Sequence, residues 1–403
     1  MPLATDTTAD VVIVGAGVMG ASVAFHLSRA GVRRVAIVDK GAAVSGMTSR
    51  SGALVRMHYT NEPEARLALA SLPYFREWRD RVGYGDSGFR TTGALCVVGP
   101  ENEARMRRTI AMLRGIGVDT VAVAPDEMRK LYPGIDSSDL ALGAYEPWSG
   151  YADPIATARA FLDGALAGGA RLHEGVEVKS ILADPSGATR GVEAVGGAKI
   201  ESKVVVVTAG PWSDRLLAPH GSAIGLHAER AQIAFFRRPP ALPKQPVFID
   251  CAIGLYGRPH GDDLSLAGLG TFKPPATPPD PDTFDTGNDP DFVTAVLERT
   301  ARRFKAMAGA PYERGHAGIY DLSPDTRAVL DQPRPGLFIA AGFSGTGFKK
   351  SPAVGLGLAE WITTGRPPKK VDFAPFRLAR FAEGKPIGGP DEYLLPVEFG
   401  HRL

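Results

Sequence analysis

The segment that most constrains the fold is a short apolar run followed at once by closely spaced glycines. Residues 11–14 are all Val or Ile, and Gly15, Gly17 and Gly20 come directly after them. Residues 21–30 then carry apolar side chains at helical spacing. In a chain with 48 glycines this spacing alone is weak, and the flanking runs give it weight. We predict a strand, a tight turn and a helix.

An acidic residue completes the pattern. After Gly31, which suits the position following a helix end, residues 35–38 form a second apolar run that closes on Asp39. In such a unit the glycines let the backbone approach a pyrophosphate, and the acidic side chain accepts hydrogen bonds from ribose hydroxyls. The helix N-terminus presents free N–H groups to the phosphates. The pattern predicts a dinucleotide site and does not separate FAD from NAD.

Two later segments repeat the change from strand to glycine. Residues 204–207 are all valine and lead to Gly210, while residues 337–341 lead to a glycine-rich turn at 342–347 and a helix over 351–364. Fully apolar runs of this kind are typical of buried parallel strands. An NAD-binding domain would place its sheet in one contiguous block, so strands that return this late favour FAD.

Composition limits the classes of function. The chain has 403 residues, more than the about 250–300 at which single cores stop growing, so we expect two lobes. Its 46 Lys plus Arg balance 44 Asp plus Glu, which argues against a nucleic-acid partner. Cys96 and Cys251 lack metal-binding spacing and favour a reducing compartment. We find no signal-type start and no membrane-length run, so we expect a cytoplasmic protein without membrane insertion.

Three segments together resemble the D-amino-acid oxidase superfamily of flavoproteins, and within it the sarcosine oxidase and dimethylglycine dehydrogenase branch. They are the N-terminal glycine motif, residues 208–213 (Thr-Ala-Gly-Pro-Trp-Ser) and residues 341–349 (Ala-Gly-Phe-Ser-Gly-Thr-Gly-Phe-Lys). They stand at the beginning, middle and end of the chain, in the family's order. The resemblance implies FAD as the cofactor.

The resemblance also implies an α/β fold, with a Rossmann-like FAD-binding domain of the glutathione-reductase type and an inserted β-rich α+β substrate-binding domain. We expect the FAD-binding domain over 1–90, 150–220 and 316–385, the substrate-binding domain over 91–149 and 221–315, and a C-terminal tail over 386–403.

The motif and the resemblance assign residues to the cofactor. A helix that begins near Ser351 would direct positive potential at the flavin ring, where negative charge builds up on reduction. For Trp212, core packing is an alternative that the sequence leaves open. The predicted cofactor-binding residues are Gly15, Gly17, Val18, Met19, Gly20, Asp39, Lys40, Thr48, Ser49, Arg50, Ser51, Val176, Ala209, Gly210, Trp212, Gly345, Thr346, Gly347, Phe348 and Lys349.

Substrate recognition is expected from cations, because Arg pairs with a carboxylate in a bidentate fork. Arg56 is similar in placement to the carboxylate-binding arginine of sarcosine oxidases, and Lys349 resembles its partner lysine. A solvated or phosphate-contacting role is the alternative for Arg56. Tyr256 and Tyr320 resemble pocket tyrosines of the branch, although core packing explains either of them equally well.

The sequence departs from the branch at two places. Residues 318–320 are Gly-Ile-Tyr where monomeric sarcosine oxidases carry a flavin-linking cysteine, so we expect non-covalent FAD unless a histidine substitutes. His58 and His316 are better explained as pocket or core residues. The second departure lies in residues 256–266, the region where the oxidases place an oxygen-activating lysine. This chain has no lysine there, and Arg258 or His260 is the available cation. His260 is therefore a further predicted catalytic residue.

Together these features predict an FAD-dependent enzyme that oxidises the C–N bond of a carboxylate-bearing amine, a sarcosine-like secondary or tertiary amino acid. Hydride transfer to flavin N5 would leave an imine that water hydrolyses. We favour oxygen as the electron acceptor. The alternatives are a dehydrogenase that uses a protein or quinone acceptor, and the flavin-binding subunit of a larger complex.

Overall fold

The computed structural model describes residues 7–243, 245–270, 277–389 and 391–394. The α-helices within these residues are α1 (Val18–Arg29), α2 (Glu62–Arg76), α3 (Trp78–Arg81), α4 (Glu103–Gly115), α5 (Pro125–Leu131), α6 (Pro154–Ala167), α7 (Ser213–Leu217), α8 (Pro290–Arg303) and α9 (Ser351–Thr364). In this part of the chain, no helix has the length and apolar character needed to cross a membrane.

The strands are shorter and more numerous. In chain order they are β1 (Thr7–Thr8), β2 (Val11–Val14), β3 (Val35–Asp39), β4 (Leu54–Val55), β5 (Arg90–Thr91), β6 (Ala94–Val98), β7 (Val121–Val123), β8 (Leu142–Glu146), β9 (Gly150–Tyr151), β10 (Arg171–Glu174), β11 (Val178–Ala183), β12 (Thr189–Ala194), β13 (Lys199–Glu201), β14 (Val205–Val207), β15 (His227–Arg237), β16 (Val247–Asp250), β17 (Leu255–His260), β18 (Leu264–Leu269), β19 (Tyr312–Leu322), β20 (Val329–Arg334) and β21 (Leu337–Ala341).

A six-stranded sheet in the order β10-β3-β2-β14-β21-β20 forms the first layer. All neighbours are parallel except β20, which runs antiparallel to β21. The register pairs Val14 with Val38 on one side and with Val207 on the other. The carboxyl ends of these strands therefore open at one edge of the sheet, where doubly wound folds bind their ligands.

Apolar layers cover both faces of this sheet, which explains why its strands are apolar throughout. Helices α1, α6 and α9 pack together on one face, over side chains such as Ile13 and Val206. The four-stranded sheet β1-β13-β12-β11 covers the other face, where Val192 and Ile200 join the cluster that contains Val12.

An eight-stranded sheet in the order β19-β15-β18-β17-β16-β6-β8-β7 forms the second large unit. Its neighbours are antiparallel except for β16 and β6. Alternation along β6 sends Leu95 and Val97 into a core beneath α8, while Cys96 belongs to a separate cluster with Cys251 on the opposite face.

Several predicted boundaries differ from the structure. The sequence predicts one helix from Glu62 to about Arg81, and the structure interrupts it at Glu77, which separates α2 from α3. The sequence also predicts a short strand over 233–236, which is the C-terminal part of β15, an 11-residue strand. Asp153 followed by Pro154 predicts a helix start, which is confirmed, because Asp153 accepts hydrogen bonds from the backbone N–H groups at the start of α6.

The predicted domain limits stay a prediction. Strands of the six-stranded sheet come from each of the pieces assigned to the FAD-binding domain, and β6, β8 and β15 to β18 come from the pieces assigned to the substrate-binding domain. The limit placed between 315 and 316 lies inside β19. Residues 271–276, at the start of the proline-rich segment, and 395–403, at the end of the expected tail, lie outside the described residues.

Candidate active site

A cavity of about 780 Å³ opens where the parallel strands end. Its volume is within the about 300–1,000 Å³ of small-molecule sites. Gly15, Asp39 and Thr208, each at or just after the end of a parallel strand, line one part, while Cys96 and Tyr256 of the eight-stranded sheet line another. The cavity thus lies between the two large sheets.

One part of the cavity, which we call the glycine end, is built around Gly15, Gly17, Asp39 and Thr48. Gly15 has a φ of +107°, and a Cβ there would lie 2.5 Å from the carbonyl oxygen of Thr208. No side chain fits between this turn and the neighbouring strand. The backbone itself therefore forms the cavity wall at the predicted dinucleotide site.

Gly20 has a different part from the other glycines of the motif. A Cβ there would lie 1.9 Å from the carbonyl oxygen of Gly15, so its absence lets α1 pack against the turn. Gly20 does not line the cavity. This packing is the role that the motif gives its third glycine, and a direct cofactor contact of Gly20 stays a prediction.

Hydrogen bonds fix the side chains of the glycine end. The Asp39 carboxylate accepts from the backbone N–H groups of Ala16 and Gly41, both at 2.8 Å. The Thr48 hydroxyl accepts from the N–H of Val18 at 2.9 Å and so caps the first turn of α1. Ser49, in contrast, donates its hydroxyl to a carbonyl within its own turn and does not line the cavity, which corrects its assignment.

A cluster of charges fastens the segment that follows residue 276 to the rim of the glycine end. The indole N–H of Trp212 donates to Asp282 at 2.9 Å, and Arg215 donates to the same carboxylate at 2.5 Å. Lys40 forms an ion pair with Asp282 and lies 4.0 Å from the centroid of the Trp212 ring. Trp212 is thus a rim residue of the cavity, and the core alternative is excluded.

Backbone strain is concentrated along the cavity. Within the described residues, the non-glycine residues with positive φ are Val44, Ala53, Thr326 and Ser344, and all of them line it. Such conformations cost about 1–3 kcal/mol each and gather at functional sites. Their position supports a functional role for this cavity.

The opposite part, which we call the cationic end, is formed by Arg56, His58, Tyr59 and Lys349. All of these side chains are at most 7% exposed. The Arg56 guanidinium lies 4.7 Å and the Lys349 ammonium 5.8 Å from the centroid of the Tyr59 ring. Among the ion pairs of the described residues, neither cation has a carboxylate partner.

Short local contacts position this segment. Strand β4 ends at Val55 and pairs with β9, which fixes the backbone just before Arg56. The buried Glu146 accepts from the N–H of Met57 at 2.9 Å and from the Ser149 hydroxyl at 2.6 Å. Burial raises the pKa of Glu146.

The charges of the cationic end shift the pKa values of its own groups. Burial, together with Arg56 and Lys350, lowers the pKa of Lys349 to about 8. Burial raises the pKa of Tyr59, but Lys349, Lys350 and Arg56 outweigh it and bring it down to about 8. The protein thus holds excess positive charge here that an anion would neutralise.

The neighbouring lysine has a different environment. Lys350 forms a buried ion pair with Glu64, and Arg327 approaches the other oxygen of that carboxylate at 2.8 Å. Burial raises the pKa of Glu64, but Lys350 and Arg327 outweigh it and lower it to about 2. Lys350 is therefore neutralised by the protein, and Lys349 is the lysine left for a ligand.

Two buried polar atoms at the cationic end have no hydrogen-bond partner within the described residues. They are Nδ1 of His58 and the hydroxyl of Tyr59. Buried polar groups in folded proteins are nearly always hydrogen-bonded, so these atoms point to a ligand. Neither residue was predicted as a site residue. The signal was their place directly after Arg56 in the sequence.

The structure places most of the predicted site residues along this one cavity. Tyr256 and Tyr320 both face it, and the ring of Tyr320 occupies the space where a Cβ on Gly345 would lie. The predicted residues that line the cavity are Gly15, Gly17, Val18, Met19, Asp39, Lys40, Thr48, Arg50, Ser51, Arg56, Val176, Ala209, Gly210, Trp212, Tyr256, Tyr320, Gly345, Thr346, Gly347, Phe348 and Lys349.

The prediction for His260 is corrected. It lies four residues beyond Tyr256 on β17, about 13 Å along an extended strand, and does not line the cavity. Its ring contacts Arg314 and the Phe235 ring instead. Burial, Arg258 and Arg314 lower its pKa, which disfavours the positive charge expected of it.

Comparison with known proteins gives one consistent result. A family model described as DAO, FAD dependent oxidoreductase, matches residues 10–361. The chain is 30% identical over 381 residues to glycine oxidase of Geobacillus kaustophilus (strain HTA426), across 92% of this chain and 97% of that protein. It is 25% identical over 385 residues to mitochondrial sarcosine dehydrogenase of Mus musculus, across 93% of this chain but 42% of that protein.

A solved structure has the same fold. L-proline dehydrogenase from P. horikoshii superimposes with a TM-score of 0.86 and 26% sequence identity, over 94% of this chain and 100% of that one. The chain thus spans the whole length of some relatives and less than half of another.

Proposed function

The chain belongs to the DAO family of FAD-dependent oxidoreductases, and from this premise we propose that it oxidises the C–N bond of a carboxylate-bearing amine. The predicted family, α/β fold class and FAD cofactor are confirmed. Glycine, sarcosine and L-proline, which occur in the names of the relatives, are all amines with a carboxylate. A secondary or tertiary amino acid is the substrate class that we propose for this chain.

The residues of the glycine end fit FAD. The turn after β2 excludes side chains at Gly15, so its backbone can approach a pyrophosphate, and α1 begins at that point. Asp39 keeps lone pairs for ribose hydroxyls after accepting its two backbone hydrogen bonds. The turn at 345–348 lines the same cavity next to Lys349, so the ring end of the cofactor would lie beside the cationic end.

The observation that carries the proposal is a pair of buried cations, Arg56 and Lys349, that have no carboxylate partner among the residues that the structure describes. An unpaired buried charge costs several kcal/mol, and a substrate carboxylate would remove that cost. Arg56 would supply a planar fork and Lys349 a point charge, and both cations lie near the Tyr59 ring.

Bound FAD supplies the acceptor for the hydride equivalent that leaves the carbon next to the nitrogen. The chain's part is to fix the carboxylate and so orient that C–H bond. Glu64 is ion-paired and Glu146 does not line the cavity, so neither carboxylate is placed to take the amine proton. We therefore propose that the amine reacts in its neutral form.

Anaerobic mixing tests this function directly. The oxidised flavin spectrum should bleach with N-methyl amino acids and proline, and not with the matching amines that lack the carboxylate. Arg56→Met and Lys349→Met should each raise KM about a hundredfold. Arg66→Met, at an exposed arginine paired with Glu62, is the control and should leave KM unchanged. An unchanged KM in both pocket variants would overturn the assignment.

The electron acceptor is a separate proposal. The cation expected at His260 does not line the cavity, so this position gives no support to oxygen over a protein or quinone acceptor. Stopped-flow mixing of the reduced enzyme with air-saturated buffer tests it. Slow return of the oxidised spectrum is expected for a dehydrogenase, and fast return would establish an oxidase.

We also propose that FAD is held without a covalent bond, because residues 318–320 contain no cysteine. Acid precipitation should then release a yellow supernatant. A yellow pellet would show a covalent link and contradict the proposal.

A further inference from the structure

Residues 391–394 lie against the cationic end and are held there by a buried anchor. The fully buried amide of Asn102 donates to the carbonyl of Leu394 and accepts from its N–H, both at 2.8 Å. Asp391 adds an ion pair with Arg108 at 2.6 Å, which is exposed and therefore weak. The Asn102 contact fixes the backbone of this short segment.

The two residues between these anchors face the cavity. The Tyr393 hydroxyl hydrogen-bonds Nε2 of His58 at 2.7 Å, and the two rings stack with an interplanar angle of 27°. Glu392 pairs with Arg327 at 2.6 Å. Both Glu392 and Tyr393 line the cavity, so this segment is part of its wall.

Tyr393 closes a compartment that is apolar. Its ring packs on the cluster that contains Cys96, Ile249 and Cys251, and Tyr256 packs on the same cluster. All of these residues line the cavity. The compartment, defined by Cys96, Ile249, Cys251, Tyr256 and Tyr393, lies next to the cations that would hold a carboxylate.

Resting on the proposed function, we propose that this apolar compartment takes an apolar side chain or ring of the amino-acid substrate, and that Tyr393 limits its size. A carboxylate held by Arg56 and Lys349 leaves the rest of the molecule to face these apolar walls. Each methylene that is buried there strengthens binding about fourfold. The inference separates substrates such as proline from glycine and sarcosine, which have nothing to place in the compartment.

The first measurement is the rate of anaerobic flavin bleaching. Wild-type kcat/KM should be at least about tenfold higher for proline and N-methylvaline than for sarcosine. Tyr393→Ala should shift this ranking toward bulkier N-methyl amino acids, and Tyr393→Trp should shift it the other way. Tyr393→Phe keeps the ring and should keep the wild-type ranking, which separates the wall from the hydrogen bond to His58.

Truncation of the chain at two positions gives an independent test of the role of Tyr393. A chain that ends after Gly389 should show the relaxed ranking of Tyr393→Ala, whereas a chain that ends after Leu394 should behave as the full chain does. An unchanged ranking in Tyr393→Ala, Tyr393→Trp and the shorter chain would overturn the inference and leave the proposed function intact.

A binding measurement keeps the two proposals distinguishable. Unreactive carboxylates perturb the flavin spectrum when they bind, so dissociation constants for acetate and cyclopentanecarboxylate can be measured without turnover. The ring compound should bind at least about tenfold more tightly, and Tyr393→Trp should abolish the difference. If this holds while no amine bleaches the flavin, the proposed function fails and the compartment stands. Equal binding of the two carboxylates would contradict the compartment.

Discussion

At the glycine end the cavity wall is backbone, and at the cationic end it is side chains. Gly15 and Asp39 form a surface of turns and N–H groups that is held by the register of parallel strands. Arg56, Lys349 and Tyr59 form a surface of buried charge and unmet hydrogen-bonding capacity. The first kind of wall recognises by close approach and the second by electrostatics. Substitutions at the glycine end should therefore weaken cofactor binding, and substitutions at the cationic end should weaken substrate binding.

The largest effect is expected where the charge balance is broken. Glu64→Gln would leave the buried Lys350 without a carboxylate and Arg327 with Glu392 alone, which should lower the free energy of unfolding by about 3–5 kcal/mol. Chemical denaturation at neutral pH measures it. Glu62→Gln removes an exposed partner of Arg66 on the same helix and should cost less than about 1 kcal/mol.

The same carboxylate makes an acid-dependent contribution. The pKa of Glu64 is lowered from 4.5 to about 2, so its stabilisation is complete above 4.5 and is lost as the pH falls toward 2. Wild-type protein should lose stability over this interval more steeply than Glu64→Gln. If the free energy of unfolding fell equally steeply with pH in both proteins, the lowered pKa of Glu64 would be contradicted.

A smaller effect is expected at the glycine end, and on the cofactor. Gly15→Ala places a Cβ 2.5 Å from the Thr208 carbonyl and forces a positive φ on alanine. We expect flavin affinity to fall about a hundredfold, which corresponds to about 3 kcal/mol. Titration of the apoprotein with FAD measures it. Gly46→Ala, also on the cavity wall but with open space around its Cβ, should bind FAD normally.

The pH dependence of turnover tests the charges of the cationic end. As the pH rises, kcat/KM should first increase while the substrate amine loses its proton, and then decline above about pH 8. Lys349 loses its positive charge there, and Tyr59, with a pKa of about 8, gains a negative one. Lys349→Arg stays charged and should move the decline to higher pH. A profile that is flat throughout would contradict the neutral-amine mechanism.

The smallest effect is expected for His260→Ala. This side chain lies beyond the cavity, between Arg258 and Arg314, so flavin bleaching and reoxidation should change less than about twofold. A tenfold slower reoxidation would restore the catalytic role that its position argues against. His58→Ala, which removes a residue of the cationic end, is the contrasting variant.

The glycine end could be predicted from the sequence because its determinants are local. A strand, a turn and a helix within residues 11–30 fix where Gly15 and Gly17 lie, and their hydrophobic pattern is unambiguous. Gly20 has the packing role that the motif predicts, whereas Ser49, which was expected to bind the cofactor, bonds within its own turn and does not line the cavity. Sequence spacing places a residue on the motif but does not show whether its surface faces the ligand or the helix.

The cationic end was predicted only where a resemblance named its residues, Arg56 and Lys349. Tyr59, His58 and Tyr393 owe their importance to neighbours far away in the chain, such as the ring contact between positions 58 and 393. His260 was also expected at the site, but it stands at the far end of β17, beyond the cavity. How far a strand extends past a cavity cannot be inferred from the type of residue at its end. Such features require the tertiary arrangement.

The order of strands in the six-stranded sheet has a consequence for folding during synthesis of the protein. Val12 on β2 pairs with Val205 on β14, which in turn pairs with Leu337 on β21. During synthesis, about half of the chain must therefore be made before β14, the neighbour of β2 on one side, exists. Pairing over such distances slows folding and exposes apolar strands to aggregation. Because the cavity is lined by segments that are far apart in the sequence, it cannot form until the last strand of the sheet has left the ribosome.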